Sequence, residues 1–153
     1  MKIGLYLPNE SYRGVDLSRP DHGNPGIGGT EYNFLTLPYY FNYFYKHITF
    51  IFYANLIENM PKDFKSVSVD NLIDAAKEAK KDGCEVFIYR PTCDYKDLEF
   101  LRELNEIKIK TVAWIHNTPF KQLNAFAKNN YVKRFVNVSK EQYDMLRDHS
   151  IIY

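Results

Sequence analysis

Asp70 to Ile115 reads DNLIDAAKEAKKDGCEVFIYRPTCDYKDLEFLRELNEIKIKTVAWI, and the alternation within it decides the fold. Leu72, Ile73, Ala76 and Ala79 recur at helical spacing behind Asp70, a residue suited to capping a helix start. Gly83 then falls at the C′ position, where a helix end commonly turns left-handed. Cys84 to Tyr89 is short and apolar, as a buried strand is, and Pro91 ends it. Thr92 or Asp94 opens a second helix with Leu98, Leu101 and Leu104 on one side, and Lys110 to Ile115, with Val112, Ala113 and Trp114, is the next strand. Short apolar strands that alternate with helices imply a mostly parallel sheet covered on both faces.

The same alternation extends in both directions. Lys2 to Leu7 reads as a buried strand stopped by Pro8. Residues 8–27 hold Pro8, Gly14, Pro20, Gly23, Pro25 and Gly26 without periodicity, which suits a mobile lid over a site. A helix begins near Gly29 with Thr30 as its N-cap and Glu31 at its positive end, and Pro38 in its interior predicts a kink or a break. Ile48 to Tyr53 and Lys65 to Val69 are strands. Downstream, Thr118-Pro119 supplies an N-cap with proline at N1, opening a helix that carries Phe120, Leu123, Phe126 and Ala127. Arg134 to Val138 is the last strand, and Ser139 to Gln142 spells a capping box for a final helix. Connection rules make residues 1–153 one α/β, Rossmann-like, doubly wound domain. Ligands of such sheets bind beyond the carboxyl ends of the strands. Four places meet there: the loop 8–29, Tyr89-Arg90-Pro91, His116-Asn117-Thr118, and Val138-Ser139.

Composition bounds the function classes. Twenty basic residues against nineteen acidic ones give a charge of +1, without the basic excess of a nucleic-acid protein. The apolar part of the N-terminus is too short for a signal peptide, and Pro38, Asn42, Lys46 and His47 interrupt the best candidate for a membrane span. Cys84 and Cys93 lie at the start of one strand and just past its end, too far apart for a disulfide. Two thiols and no export signal point to the cytoplasm. Thirteen Tyr and eleven Phe suit cores, sugar-stacking sites and membrane interfaces equally.

Gly26-Ile27-Gly28-Gly29-Thr30-Glu31 is the stretch with most chemistry, because a glycine turn feeding a helix aims free N–H groups at an anion. A flexible loop ending at a helix cap is the plainer reading. His116 follows a strand directly and should sit at the mouth of the sheet, where an imidazole can meet a sugar hydroxyl or phosphate. Otherwise it only ties down its loop. Arg90 also ends a strand on that side and could hold a phosphate or carboxylate, although a solvated arginine is commoner. Ser139 is more safely a helix cap than a nucleophile, since no Gly-x-Ser-x-Gly elbow surrounds it. His22, His47 and His149 share no metal-ligand spacing with His116, and no Cys or carboxylate cluster joins them, so no metal site is expected. A dinucleotide site is excluded: Glu31 stands where the third glycine belongs, the glycines lie far beyond the first strand, and no acid closes the second.

The first strand, the long loop, Gly28-Gly29-Thr30-Glu31 opening a helix, His116-Asn117 after a later strand, and VNVSKEQYDMLRDHSI (136–151) together resemble the N-terminal half of GT-B fold glycosyltransferases. The likeness is nearest to the retaining family 4 enzymes and spans essentially the whole chain. It implies that Gly28, Gly29 and Thr30 meet the donor diphosphate through backbone amides and that His116 faces the transferred sugar as the candidate catalytic residue. Glu31, Arg90, Asn117 and Ser139 are further cleft candidates. It also implies a second, nucleotide-gripping domain that residues 1–153 do not include, so that this half alone has little or no activity. The complete enzyme would move a sugar from a nucleotide sugar to a hydroxyl acceptor (glycan, lipid or protein) with retention, needing no cofactor and no obligatory metal.

Two other classes compete with this. One is a non-catalytic Rossmann-like interaction domain whose aromatic segment, Tyr39 to Tyr45, meets a protein partner or a membrane surface, making peripheral membrane association an expectation of either reading. The other, a self-contained nucleotide-dependent hydrolase, lacks a P-loop and a nucleophile elbow.

Overall fold

The computed structural model describes residues 1–92, 94–116 and 122–149. Six strands form one sheet: β1 (Lys2–Leu7), β2 (Thr49–Ala54), β3 (Lys65–Ser68), β4 (Val86–Tyr89), β5 (Lys110–Ile115) and β6 (Val132–Asn137). Every pairing is parallel, and the order is β3-β2-β1-β4-β5-β6. Helices α1 (Gly29–Phe44), α2 (Leu72–Lys81), α3 (Tyr95–Ile107), α4 (Leu123–Lys128) and α5 (Lys140–Leu146) complete the described elements. This is the doubly wound, Rossmann-like domain that the alternation predicts. The strand order reverses between β1 and β4, which makes their carboxyl ends the switch point.

The period-two geometry of the strands divides the core in two. Phe50 and Phe52 point to the layer of α1, where Leu5, Leu7, Phe34 and Leu35 are buried. Ile51 and Tyr53 point to the opposite layer, with Ala76 and Ala79 of α2, Phe100 and Leu104 of α3, and Phe126 of α4. A strand covered on both faces cannot alternate with polar residues, which is why β2 reads TFIFYA. Gly4 lets α2 close on the sheet: a Cβ there would stand 3.0 Å from Tyr53 Cε2 and 3.1 Å from Ala79 Cβ. The end of α2 is a Schellman turn. Gly83, with φ of 75°, gives its N–H to Lys80, and Cys84 gives its N–H to Ala79.

Several boundaries differ from the sequence reading, each for a local reason. Gly28, not Thr30, is the N-cap of α1, because its extended backbone (φ −57°, ψ 146°) lets the helix begin at Gly29. Pro38 does not break α1. Beyond the proline, Tyr39 packs edge-on to Phe64 at 6.4 Å and Phe41 to Phe50 at 6.0 Å, contacts that offset the roughly 3 kcal/mol such a proline costs. Asn71 rather than Asp70 caps α2, accepting the Asp74 N–H at 3.0 Å, while Asn55 ties down the Asp70 carbonyl. Cys84 is drawn into the Schellman turn, so β4 starts at Val86. In α3, Phe100 takes the buried face against Tyr89 at 4.8 Å, and Leu98 turns outward. The Ser139 cap of α5 stands, but Gln142 reaches back to the Val138 N–H instead of that of Ser139. Thr118-Pro119 and Phe120 lie outside the described residues, and α4 starts at Leu123 with Gln122 as its N-cap. Cys84 is a buried free thiol, and Cys93 lies outside the described residues.

The loop expected to be a lid is anchored along its first half. Asn9 is fully buried and bonded to Leu56, and Asn59 donates to the carbonyls of Tyr12 and Val15 while its own carbonyl accepts from Leu17. Two 3-10 turns, Glu10–Tyr12 and Pro20–His22, give it internal structure.

Candidate functional site

The chain leaves β1 at Pro8 and β4 at Arg90, and the crevice between these exits is closed from one side by the start of α1. Glycine at the N-cap has no side chain to spend on the helix, and α1 has no side-chain cap. Its first intrahelical bond is from the Tyr32 N–H to the Gly28 carbonyl at 3.0 Å, so the Gly29, Thr30 and Glu31 N–H groups have no acceptor within the helix. Among the described residues nothing stands within 4 Å of the place where a Gly29 Cβ would be, so they leave the backbone there open to approach. Gly28 is different. Its N–H donates to the Tyr12 hydroxyl at 3.2 Å, so of the glycine pair expected to meet an anion, only Gly29 offers an unengaged donor.

The Glu31 carboxylate folds back over Gly28, filling the space a Cβ would take, and meets Arg90 at 3.6 Å. With side chains only 14% and 29% exposed, this pair is better shielded than a surface ion pair. Arg90 and the positive end of α1 therefore share one anionic side chain. A bound phosphate would find both still under-neutralised.

His116 stands at the exit of β5, near enough to Arg90 and Glu31 for both charges to act on it, and lines neither the cavity nor the cleft described below. Its ring lies 5.2 Å from that of Trp114 and 6.3 Å from that of Phe34, on the α1 side of the sheet. Among the described residues Nε2 is buried without a hydrogen-bond partner. Burial first, and then the Arg90 cation, push the imidazole below its ordinary 6.5, with Glu31 pulling the other way. The ring is thus mainly neutral at pH 7, with one nitrogen free to meet a hydroxyl. A lowered folded pKa means that this group's contribution to stability is complete above 6.5 and is lost as pH falls from 6.5 through the folded pKa. An NMR titration of the His116 ring should show a midpoint below 6.5, moved up by Arg90→Met and down by Glu31→Gln. A midpoint at or above 6.5 would mean that burial and Arg90 do not govern the ring, contrary to the placement described.

A small cavity bounded by Tyr6, Leu7, Pro8, Thr30, Glu31, Phe34 and Arg90 marks the crossing. Through Tyr6, Pro8 and Arg90 it adjoins a cleft of about 600 Å³ that also takes in Asp70, Asn71, Asp74, Tyr95 and Glu99. A hollow of similar volume between α3 and α4 is lined by Leu98, Leu101 and their neighbours and holds none of these groups.

Glu31, Arg90 and His116 are brought together with Gly29 and Thr30. Ser139 is not among them: its hydroxyl accepts the Gln142 N–H at 3.1 Å, and it lines neither the cavity nor the adjoining cleft. Asn117 lies outside the described residues. His22 meets Arg19 and Asp21, and His149 meets Asn124. Among the described residues no group of three His, Cys, Asp or Glu side chains gathers. The sequence reading missed Tyr12, which takes the Gly28 N–H, and the Phe34–Trp114 stack (5.0 Å, 25°) that walls the imidazole. Trp114 stands two residues before His116, on the same face of β5, a spacing that could have signalled the contact.

No protein family matches the sequence, and no curated protein does. Among solved structures, the apo form of the lipopolysaccharide outer core galactosyltransferase WaaB superposes with a TM-score of 0.54. The match covers 100% of this chain and 44% of that one, at 13% identity. The likeness is one of fold. This chain's Rossmann-like sheet is thus an arrangement that a glycosyltransferase uses over somewhat less than half of its length.

Proposed function

We propose that residues 1–153 are the acceptor-side half of a GT-B, family 4-like glycosyltransferase that moves a sugar from a nucleotide sugar to a hydroxyl acceptor with retention, in the cytoplasm. The observation that supports the reading is a neighbourhood of three groups: the uncapped start of α1, the Arg90–Glu31 pair beside it, and the His116 imidazole on which both of those charges act. When the bond from the sugar C1 to the diphosphate breaks, its electrons go to the diphosphate oxygen. Donors already in place at Gly29 and Thr30, with Arg90 beside them, would stabilise that charge. His116, neutral and held by Trp114 and Phe34, would orient the sugar by a hydrogen bond from Nε2 and is no nucleophile. The cleft beyond Arg90 would receive the acceptor, with Tyr95 as a ring to stack on and Asn71, Asp74 and Glu99 as hydroxyl partners. This reading needs no resident metal, because the helix end and Arg90 supply the counter-charge.

A second domain would complete the nucleotide site and, by closing, exclude water. The test is an assay of the protein joined to such a domain, across a panel of nucleotide sugars. Donor hydrolysis or transfer by the joined protein, with residues 1–153 alone at background, is the expected result. Full turnover by residues 1–153 alone, or none by the joined protein with any donor, would overturn the reading.

A further inference from the structure

Helix α1 ends in a cluster of rings that none of the described residues covers. Tyr43 is 78% exposed, Phe44 72%, Tyr40 57% and Tyr45 49%, and Phe41 is 38% exposed even while resting on Phe50. The rings gather among themselves, Tyr43 with Phe44 at 5.0 Å and Phe41 with Tyr45 at 5.3 Å. Met1, also half exposed, adjoins them through the bond of its amino group to the His47 carbonyl. Single exposed apolar side chains are common on folded proteins, whereas a contiguous run of them marks an interaction surface.

The chemistry of the run favours a bilayer surface over a protein groove. Tyrosine and phenylalanine with flanking lysine are the side chains that settle at a lipid–water interface, ring toward the acyl boundary and polar atom toward the headgroups. The charge nearby has the matching sign. Helix α1 runs back along the sheet, so its tip lies at the rim where the strands begin. Lys2, Lys65 and Lys110 open β1, β3 and β5 there, and Lys46 and Lys108 stand just before β2 and β5. Asp82, Glu85 and Glu106 oppose them; the Asp82 carboxylate is met by Lys65, and Lys2 donates to the Asp82 main-chain carbonyl. Among the described residues no helix is long and apolar enough to cross a membrane.

We propose that the tip of α1 seats this protein on an anionic bilayer, with Tyr43 and Phe44 entering the headgroup layer and Lys46, Lys108 and Lys110 meeting lipid phosphates. The crevice at Gly29 lies at the other end of the same 16-residue helix, about 24 Å away at the α-helical rise, and stays open to water. The proposal does not depend on what binds in that crevice.

Flotation with phosphatidylcholine vesicles, and with an equal mixture of phosphatidylcholine and phosphatidylglycerol, tests it. The protein should float with the mixed vesicles and less with the neutral ones. Tyr43→Ser with Phe44→Ser should lower partition about tenfold without moving the unfolding midpoint, since both rings are already in water. Tyr43→Trp with Phe44→Trp should retain it, and Lys46→Glu with Lys110→Glu should weaken only the anionic component. Absence of flotation with both vesicles, or unchanged flotation of the serine pair, would overturn the proposal. So would sedimentation equilibrium showing a dimer that the serine pair dissolves, because the tip would then be the seat of a second copy.

Discussion

Phe34→Ala should lower the free energy of unfolding by about 3–5 kcal/mol, a large part of what holds a domain of this size together. Phe34 is 1% exposed and belongs to the core built from Leu5, Leu7, Leu35 and Phe52. Its removal forfeits both the transfer energy of the ring and the contacts across the hole it leaves, because strands held in register cannot collapse into the space. It also removes one wall of the crevice, since Phe34 stacks on Trp114 and borders Glu31, Arg90 and His116. Chemical denaturation is the check: the midpoint should fall with little change in slope. Phe34→Leu, which refills most of the space, should lose far less. A loss below about 1 kcal/mol for the alanine variant would mean that the ring is not packed as described.

His116→Ala should show the opposite balance. The side chain is only half buried and its Nε2 satisfies no partner, so truncation removes an uncompensated polar atom and should cost about 1 kcal/mol or less in stability. If the proposed function holds, then in the protein joined to a donor domain, at saturating donor, the same change should lower kcat about 100-fold or more, the scale on which one preorganised hydrogen-bonding group acts on a transition state. His116→Gln, which can still present an amide to a hydroxyl, should recover part of it. If His116→Ala instead unfolds the protein and leaves kcat per folded molecule unchanged, the ring is a core histidine and its assigned role is wrong.

How much of this was legible from the chain depends on how far apart the interacting residues lie. The Rossmann-like layering was legible because β2, β4 and β5 are apolar on both faces and β4 and β5 each adjoin a helix with a cap or a glycine stop. Helix starts were placed within a few residues and no better. Asp70 and Asn71 are both good caps, and only the distant Asn55 decides between them. The effect of Pro38 could not be judged without knowing that Phe50 and Phe64 would hold the turns beyond it.

The site follows the same rule. Gly29, Glu31, Arg90 and His116 could each be named from a local signal: a glycine pair, a helix start, two strand exits. That Arg90 reaches Glu31 could not be read, nor that Tyr12 takes the Gly28 N–H, because those contacts join residues 59 and 16 positions apart. Ser139 shows the converse. Its capping signal was strong enough to predict its structural use, and that use accounts for the hydroxyl.

The central claim is that an anion docked at the start of α1 and the His116 imidazole occupy one crevice. Titration of isotope-labelled protein with inorganic pyrophosphate, followed by amide and imidazole NMR, tests this most directly. The Gly29 and Thr30 amides and the His116 ring signals should move together on one saturable curve, and Arg90→Met should weaken that curve. If pyrophosphate leaves all three untouched, or moves the amides leading into α2 or α3 while Gly29 and Thr30 stay still, the crevice is not a diphosphate site.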